Sequence, residues 1–299
     1  MHWRAVVCAV DFSDPSRRAL RLAAALAGWS GAALTVATVD DPLLVEAATQ
    51  GRTRHEVLAE TERELGAFVR ESLTGSVRPA RLAVRVGNPA DEIGAVAAEL
   101  GADLVVVGTH GLRGYQKAVF GSTTERLLRS TRRPVLAVPP AGEEIARLDP
   151  PGVDVRSILA PVDFDPAIRG DLTVAVDLAA SFQVPLVLVH VLESGRVSLA
   201  WREQADAALA ERTAEAQRRL DELGRSLGDR VAVATVVKNG RPSDGIADAA
   251  RDGRAGLVVM GLRRKGGFLD SPPGSVAYRV LAETQVPVLA LPQDASASR

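Results

Sequence analysis

Short apolar runs alternate with longer stretches of helical periodicity along this chain. The first half begins with a buried-strand pattern over Ala5–Val10, followed by an apolar helical face from Ala19 to Ala27. The same alternation continues and predicts the order β-α-β-α-β-α-β-α-β, with a polar loop after the second strand and a helix over about Thr53–Ser72. Because parallel strands need crossover connections, this order predicts a parallel sheet covered by helices on both faces.

The pattern then repeats. Arg4–Phe12 resembles Arg156–Phe164, and Leu104–Gly108 resembles Leu257–Gly261. With three further pairs, five landmarks recur in the same order at a nearly constant offset of about 150 residues. The chain is therefore predicted to be two tandem, doubly wound α/β domains of five parallel strands each: domain 1 at 1–140 and domain 2 at 155–293, joined by a Pro/Gly-containing linker at 141–154.

Bulk composition narrows the function classes. The 299 residues are 46% hydrophobic and 24% charged, with a net charge of −1, so no overall field favours nucleic acid or membrane. No apolar run is long enough to span a bilayer and no signal-peptide pattern opens the chain, so we expect a cytoplasmic protein. The single cysteine, Cys8, lies in a strand-like run and is interpreted as a buried apolar residue. The four histidines have no metal-ligand spacing, and His190 is interpreted as structural.

Candidate chemistry gathers at the carboxyl ends of the strands, where doubly wound sheets bind ligands. After the fourth strand the sequence has the spacing Gly108-x2-Gly111-x9-Gly121-Ser122. Glycines let backbone amides approach phosphate oxygens, and the helix that starts after Gly121 adds unpaired N–H groups, with hydroxyls from Ser122, Thr123 and Thr124. Asp11, at the end of the first strand, is either a helix cap or a hydrogen-bond acceptor for a ribose.

These motifs resemble the ATP-binding branch of the universal stress protein family. The glycine spacing, Val-Asp11-Phe-Ser and Gly87-Asn-Pro89 carry the resemblance, and the two copies resemble tandem members of the family. The resemblance implies that Asp11 holds the ribose, that the Val39 backbone contacts adenine, and that the glycine loop and its hydroxyls hold the phosphates of ATP with Mg²⁺. It also implies that domains pair through their last strands, Val135–Val138 and Val288–Leu291, across an internal pseudo-two-fold.

Domain 2 departs from the motif. Asp163, Gly261, Gly274 and Ser275 remain as candidate nucleotide contacts, but Arg264 replaces the second glycine. Pro272 and Pro273 remove backbone donors, and Ala277 stands at the position of Thr124. Arg264 could obstruct a phosphate or could donate to it, and we favour a weak or empty second site.

Three hypotheses follow. The first is a non-enzymatic stress-response regulator that binds ATP mainly in domain 1 and signals to an unknown protein partner. The second is slow ATP hydrolysis or nucleotidyl transfer at the same site, for which no catalytic residue can be named. The third is an interaction module without nucleotide. P-loop, dinucleotide and nucleophile-elbow motifs are absent from the sequence. The fused pair already forms a pseudo-dimer, and a further homodimer stays open.

Overall fold

A computed structural model describes residues 3–73, 79–109, 121–140, 146–148, 151–193, 202–262 and 275–292. Domain 1 contains, in chain order, β1 (Ala5–Ala9), α1 (Asp14–Ser30), β2 (Ala33–Asp40), α2 (Pro42–Ala48), α3 (Arg54–Ser72), β3 (Arg81–Val86), α4 (Pro89–Glu99), β4 (Leu104–Gly108), α5 (Ser122–Ser130) and β5 (Val135–Val138). Between the domains lie β6 (Ala146–Leu148) and β7 (Pro151–Val153). Domain 2 contains β8 (Ile158–Pro161), α6 (Ile168–Phe182), β9 (Leu186–Leu192), α7 (Arg202–Ser226), β10 (Val233–Asn239), α8 (Pro242–Asp252), β11 (Leu257–Gly261), α9 (Ser275–Glu283) and β12 (Val288–Leu291).

The strands of both domains form one ten-stranded sheet in the order β10-β9-β8-β11-β12-β5-β4-β1-β2-β3. Among the described strands of this sheet, pairing is parallel within each domain and antiparallel where β12 meets β5. There Leu289 lies opposite Leu136, and both side chains are buried. The predicted fold and the predicted pairing through the last strands are therefore confirmed.

Helices form where capping chemistry meets an apolar face. Ser13 caps α1 by accepting a hydrogen bond from the Ser16 amide. Thr53 and Glu56 form a reciprocal capping box at the start of α3. Helices cover both faces of the sheet, and Val, Leu and Ala side chains fill the two layers of the core between the helices and the strands. Cys8 is fully buried there, and burial raises the pKa of its thiol well above the ordinary value.

The predicted polar loop after β2 is wrong in one respect, because it contains the short helix α2. Asp41 accepts a hydrogen bond from the Leu43 amide at 2.8 Å, and Pro42 opens the helix. A helix of two turns is too short to produce a recognisable apolar period, so sequence periodicity passed over it.

The predicted linker has structure of its own. Strands β6 and β7 pair antiparallel, with Ala146 opposite Val153, and the hairpin packs against α1. Beside it, Trp29 of α1 lies 4.4 Å from Phe182 of α6 and 6.2 Å from Trp3, measured between ring centroids. Aromatic packing of this kind adds to the strand pairing that joins the two domains. Within the described ranges, no helix is both long and apolar enough to cross a bilayer.

Candidate functional site

Asp11 is held in a tight turn at the carboxyl end of β1. Its Oδ1 accepts a hydrogen bond from the Ser13 amide at 3.2 Å and another from the Ser13 hydroxyl, while its own amide donates to Ser16 Oγ at 3.4 Å. The helix cap is Ser13, so Asp11 lies two residues before the capping position. This arrangement fixes the carboxylate at the rim of the sheet, where a ligand hydroxyl could donate to it.

The residue after each first-strand aspartate has an unusual backbone. Phe12 has φ 63° and Phe164 has φ 61°, in the left-handed region that non-glycine residues rarely enter. The ring of Phe12 packs edge-on against Phe68 at 5.5 Å, and that of Phe164 lies 4.5 Å from His190. The same strained turn thus occurs at the end of the first strand in both domains. At this rim the surrounding structure holds a non-glycine residue at a positive φ that it would otherwise avoid. Sequence reasoning missed this feature, because a phenylalanine does not signal positive φ.

The second and third strands bring Val39 and Gly87 to the same edge. Val39 pairs with Arg85 in register, and the Gly87 amide donates to the Asp40 carbonyl at 3.1 Å. Gly87 has φ 156°, and a Cβ there would lie 2.9 Å from Glu92 Oε1. The Glu92 side chain could move aside, so it is the positive φ of this turn that favours glycine here.

The two ends of the glycine loop are tied together. The Gly121 amide donates to the Thr109 carbonyl at 2.9 Å, and Thr124 Oγ1 donates to the Gly108 carbonyl at 2.9 Å. A Cβ on Gly108 would lie 3.3 Å from the Pro15 backbone, and one on Gly121 would lie 3.0 Å from the Thr109 oxygen. Close approach of backbone to backbone thus explains both glycines. Gly111 lies outside the described residues.

Helix α5 starts directly after this closure and has no side chain capping its first turn. Ser122 is exposed and Thr123 is half-buried, so both can meet a ligand, whereas Thr124 is buried with its hydroxyl bonded to Gly108. The first-turn amides and their dipole favour an anion here. Thr124 holds the two ends of the loop together, and sequence spacing alone did not separate that role from a phosphate contact.

Domain 2 builds the equivalent rim differently. Asp163 Oδ1 accepts from the Asp165 amide at 3.1 Å, and Asp165 Oδ1 accepts from the Ala167 amide at 2.8 Å. Helix α6 begins only at Ile168, without a side-chain cap. Ala277 is buried where domain 1 has Thr124, so the hydroxyl tie to the preceding strand is missing.

An acidic side chain lies beside Gly261, the last residue of β11 in domain 2. The carboxyl carbon of Asp171 lies 3.0 Å from where a Cβ on Gly261 would be. Counting from the first-strand aspartates, Asp171 replaces Ala19, which is fully buried in domain 1. The sequence comparison overlooked this difference, because it lies in a helix and outside the glycine motif. Ser275 opens α9, but its side chain, Gly274, Arg264, Pro272 and Pro273 lie outside the described part of the structure.

Neither histidines nor acidic groups suggest a metal centre. His190 Nδ1 lies 2.6 Å from the Val162 carbonyl and its ring packs on Phe164, in agreement with a structural role. Among the described residues, no cluster of three or more His, Cys, Asp or Glu side chains could hold a metal ion. His2 and His110 fall outside that part of the chain.

Comparisons with known proteins agree with this architecture. The model of the universal stress protein family matches residues 2–139 and again 154–292. A universal stress protein of Mycolicibacterium smegmatis is 31% identical over 201 residues, which cover 65% of this chain and 63% of that protein. One from Mycobacterium tuberculosis strain H37Rv is 29% identical over 195 residues, covering 63% of this chain and 61% of its own length. The aligned part thus spans about three fifths of these relatives.

Solved structures support the fold. A universal stress protein of Archaeoglobus fulgidus superposes with a TM-score of 0.62 at 18% identity, covering 96% of both chains. A functionally unknown protein of Pseudomonas aeruginosa PAO1 gives the same TM-score at 19% identity, covering 98% of this chain and 94% of its own. The repeated family match, the sheet topology and the paired last strands together place this chain in the universal stress protein family, with two family domains in tandem.

Proposed function

We propose that this protein binds ATP in domain 1 and acts as a non-enzymatic stress-response regulator. The observation that carries the proposal is the closure of the glycine loop onto the start of α5, through the Gly121–Thr109 and Thr124–Gly108 hydrogen bonds. This closure leaves the amides of an uncapped helix turn and the hydroxyls of Ser122 and Thr123 at the rim. Such a combination suits phosphate oxygens.

The rest of the nucleotide would extend along the same edge of the sheet. The carboxylate of Asp11 is an acceptor for ribose hydroxyls, and the strand end at Val39 offers backbone groups to adenine. Mg²⁺ that accompanies ATP would take its ligands mainly from phosphate oxygens and water, since the described residues include no ready metal cluster. The bound nucleotide would add negative charge at this rim and so change the surface that a partner protein contacts. The residues of the chain would orient and hold the nucleotide.

The asymmetry between domains supports a single strong site. Asp171 adds a negative charge beside Gly261, and Ala277 removes the threonine tie. Both changes oppose a polyphosphate, because like charges repel and an unanchored loop loses preorganisation. We therefore propose a stoichiometry nearer one ATP per chain than two, with Asp163, Gly261, Gly274 and Ser275 forming at most a weak site.

Calorimetric titration of the purified full-length chain with Mg·ATP tests the proposal. The expected result is a single saturable event with about one ATP per chain. Gly111→Arg imitates domain 2 and should abolish most binding, whereas the matched Arg264→Gly change in domain 2 should leave the domain 1 event intact. Absence of ATP binding by the wild type, or two sites of equal affinity, would overturn the assignment. Turnover of ATP that is lost in Asp11→Ala would instead indicate an enzyme.

A further inference from the structure

An open crevice runs along the outer edge of domain 1. It has a volume of about 280 Å³ and lies between α3 and β3, the terminal strand at this end of the sheet. On the helix side it is lined by the stripe His55, Leu58, Ala59 and Glu62, and on the strand side by residues 81–85. The crevice lies beside a sheet edge and is separate from the glycine loop.

Within the described part of the chain, no strand pairs with β3 on that side. The Ala80 amide donates to the Leu34 carbonyl of β2 at 2.8 Å. Because successive residues of a strand direct their backbone groups to opposite sides, those of Arg81, Ala83 and Arg85 point to the open edge. An open edge of this kind is a template for a further strand.

The two faces of β3 differ in chemistry. Leu82 and Val84 pack into the core layer on the α3 side, next to the crevice, while Ala83 belongs to the layer on the α4 side. On the α4 side, Arg85 forms an ion pair with Glu99, and the exposed Arg81 has no ion pair with any described residue. A strand added here would therefore place one set of alternate side chains against the crevice, where Leu58 and Ala59 supply the apolar surface between His55 and Glu62. The other set would face the arginines, of which Arg81 carries the charge without an ion pair to a described residue.

In domain 2, hydrogen bonds join the corresponding helix and strand. Gln217 of α7 donates to Thr235 of β10 and to Asp221 Oδ1, both at 2.8 Å, and Thr235 also donates to Asp221. These hydrogen bonds hold the pKa of Asp221 below its usual value. The ion pair Lys238–Asp252 repeats Arg85–Glu99, so the outer faces of the two edge strands are built alike, whereas only domain 2 has a polar bridge from helix to strand at the position of Leu82.

A second copy of the chain fits this edge poorly. In an antiparallel pair of β3 strands centred on Ala83, Arg81 of one chain would stand opposite Arg85 of the other, and like charges directly opposite destabilise a sheet. Acidic side chains at those positions would be complementary. We propose that the β3–α3 crevice of domain 1 binds an extended segment of a partner protein in which apolar and acidic residues alternate, added to the sheet beside β3.

A synthetic peptide of alternating valine and glutamate is the probe, labelled with a fluorophore and titrated with the full-length protein. Binding should saturate at micromolar protein and weaken as salt is raised, because exposed charges are screened. A peptide with lysine in place of glutamate should bind at least about tenfold more weakly, since each of its charges then repels the arginines. Equal binding of the two peptides, or no binding of the glutamate peptide, would overturn the proposal.

Two variants locate the site on the protein. Arg81→Glu reverses an exposed charge at the edge, and Ala59→Phe fills the crevice from the helix side; each should weaken the glutamate peptide by about tenfold or more. Arg212→Glu makes the same charge change on the exposed face of α7 and should leave binding unaltered. Unchanged affinity in both site variants would refute the assignment. Sedimentation of the wild type as a dimer that Arg81→Glu dissociates would assign the edge to a second copy and would refute it equally.

Discussion

The carboxyl group of Asp171 lies against the α-carbon of Gly261, at the end of the fourth strand of domain 2. At the equivalent point of domain 1, Gly108 faces the backbone of Pro15 and Ser16. The first turn of α1 therefore occupies in domain 1 the place that an acidic side chain takes in domain 2, where α6 starts later. One helix residue thus places a carboxyl group at a rim whose strand framework is the same in both domains.

Removal of that charge should strengthen nucleotide binding in domain 2. Asp171→Ala restores the residue type of Ala19, and the loss of one negative charge near the triphosphate should lower the dissociation constant of domain 2 by about tenfold or more. Calorimetry should then show a second, weaker event beside the first.

Asp229→Ala makes the same charge change in an exposed turn after α7 and provides the control. A domain 2 event that appears equally in both variants would indicate a general charge effect. A titration of Asp171→Ala identical to that of the wild type would mean that the weak nucleotide binding of domain 2 depends on its loop alone.

Asp11→Ala should weaken ATP binding by about tenfold or more, because a hydrogen bond between a ribose hydroxyl and a charged acceptor contributes about 1.5–3 kcal/mol. The same change also removes the acceptor for Ser13, so a moderate loss of stability, about 1 kcal/mol, should accompany it. Asp163→Ala is the matched variant in domain 2 and should leave the strong site unaltered. ATP affinity and urea unfolding measured on both variants decide the matter, and equal losses of affinity would refute the assignment of the ribose to Asp11.

Thr124→Val should act through the shape of the glycine loop. The hydroxyl is buried and bonded to Gly108, so its replacement by an isosteric methyl leaves that carbonyl without its partner and should cost about 1–3 kcal/mol of stability. ATP affinity should fall as well, since the loop ends lose their tie. Thr123→Val changes a half-buried neighbour, and should weaken ATP with little effect on the melting temperature. The reverse pattern in the two variants would exchange their roles.

Leu136→Ala should loosen the joint between the domains. Leu136 and Leu289 face each other across the antiparallel pair and are nearly inaccessible, so truncation should cost about 2–5 kcal/mol. Leu43→Ala removes the same atoms from a side chain that is 73% exposed and should change stability by less than about 0.5 kcal/mol. Chemical denaturation followed by tryptophan fluorescence measures both, because Trp29 packs on Phe182 across the joint. Similar stability of the two variants would show that the strand pair contributes little.

Local chemistry explains why much of domain 1 was predictable. Ser13, Thr53 and Asn88 cap helices where their residue types indicate a start, and these interactions span only a few residues. Prediction failed where the signal was short or distant: α2 has only seven residues, and the hairpin of β6 and β7 lies in a segment that has no counterpart in either repeat.

The sequence by itself determined the duplication, the parallel α/β fold and the region of the candidate site. Hydrophobic periodicity and glycine spacing are local properties, and the chain contains each pattern twice, once in each repeat. Tertiary structure alone decided which groups face each other at the site, with Thr124 against Gly108 and Asp171 against Gly261. It also decided that an open crevice lies at the β3 edge of the sheet, whereas hydrogen bonds link helix and strand at the β10 edge. These contacts join residues from different helices and strands, and their distances depend on where each helix starts and how it packs, which no short stretch of sequence specifies.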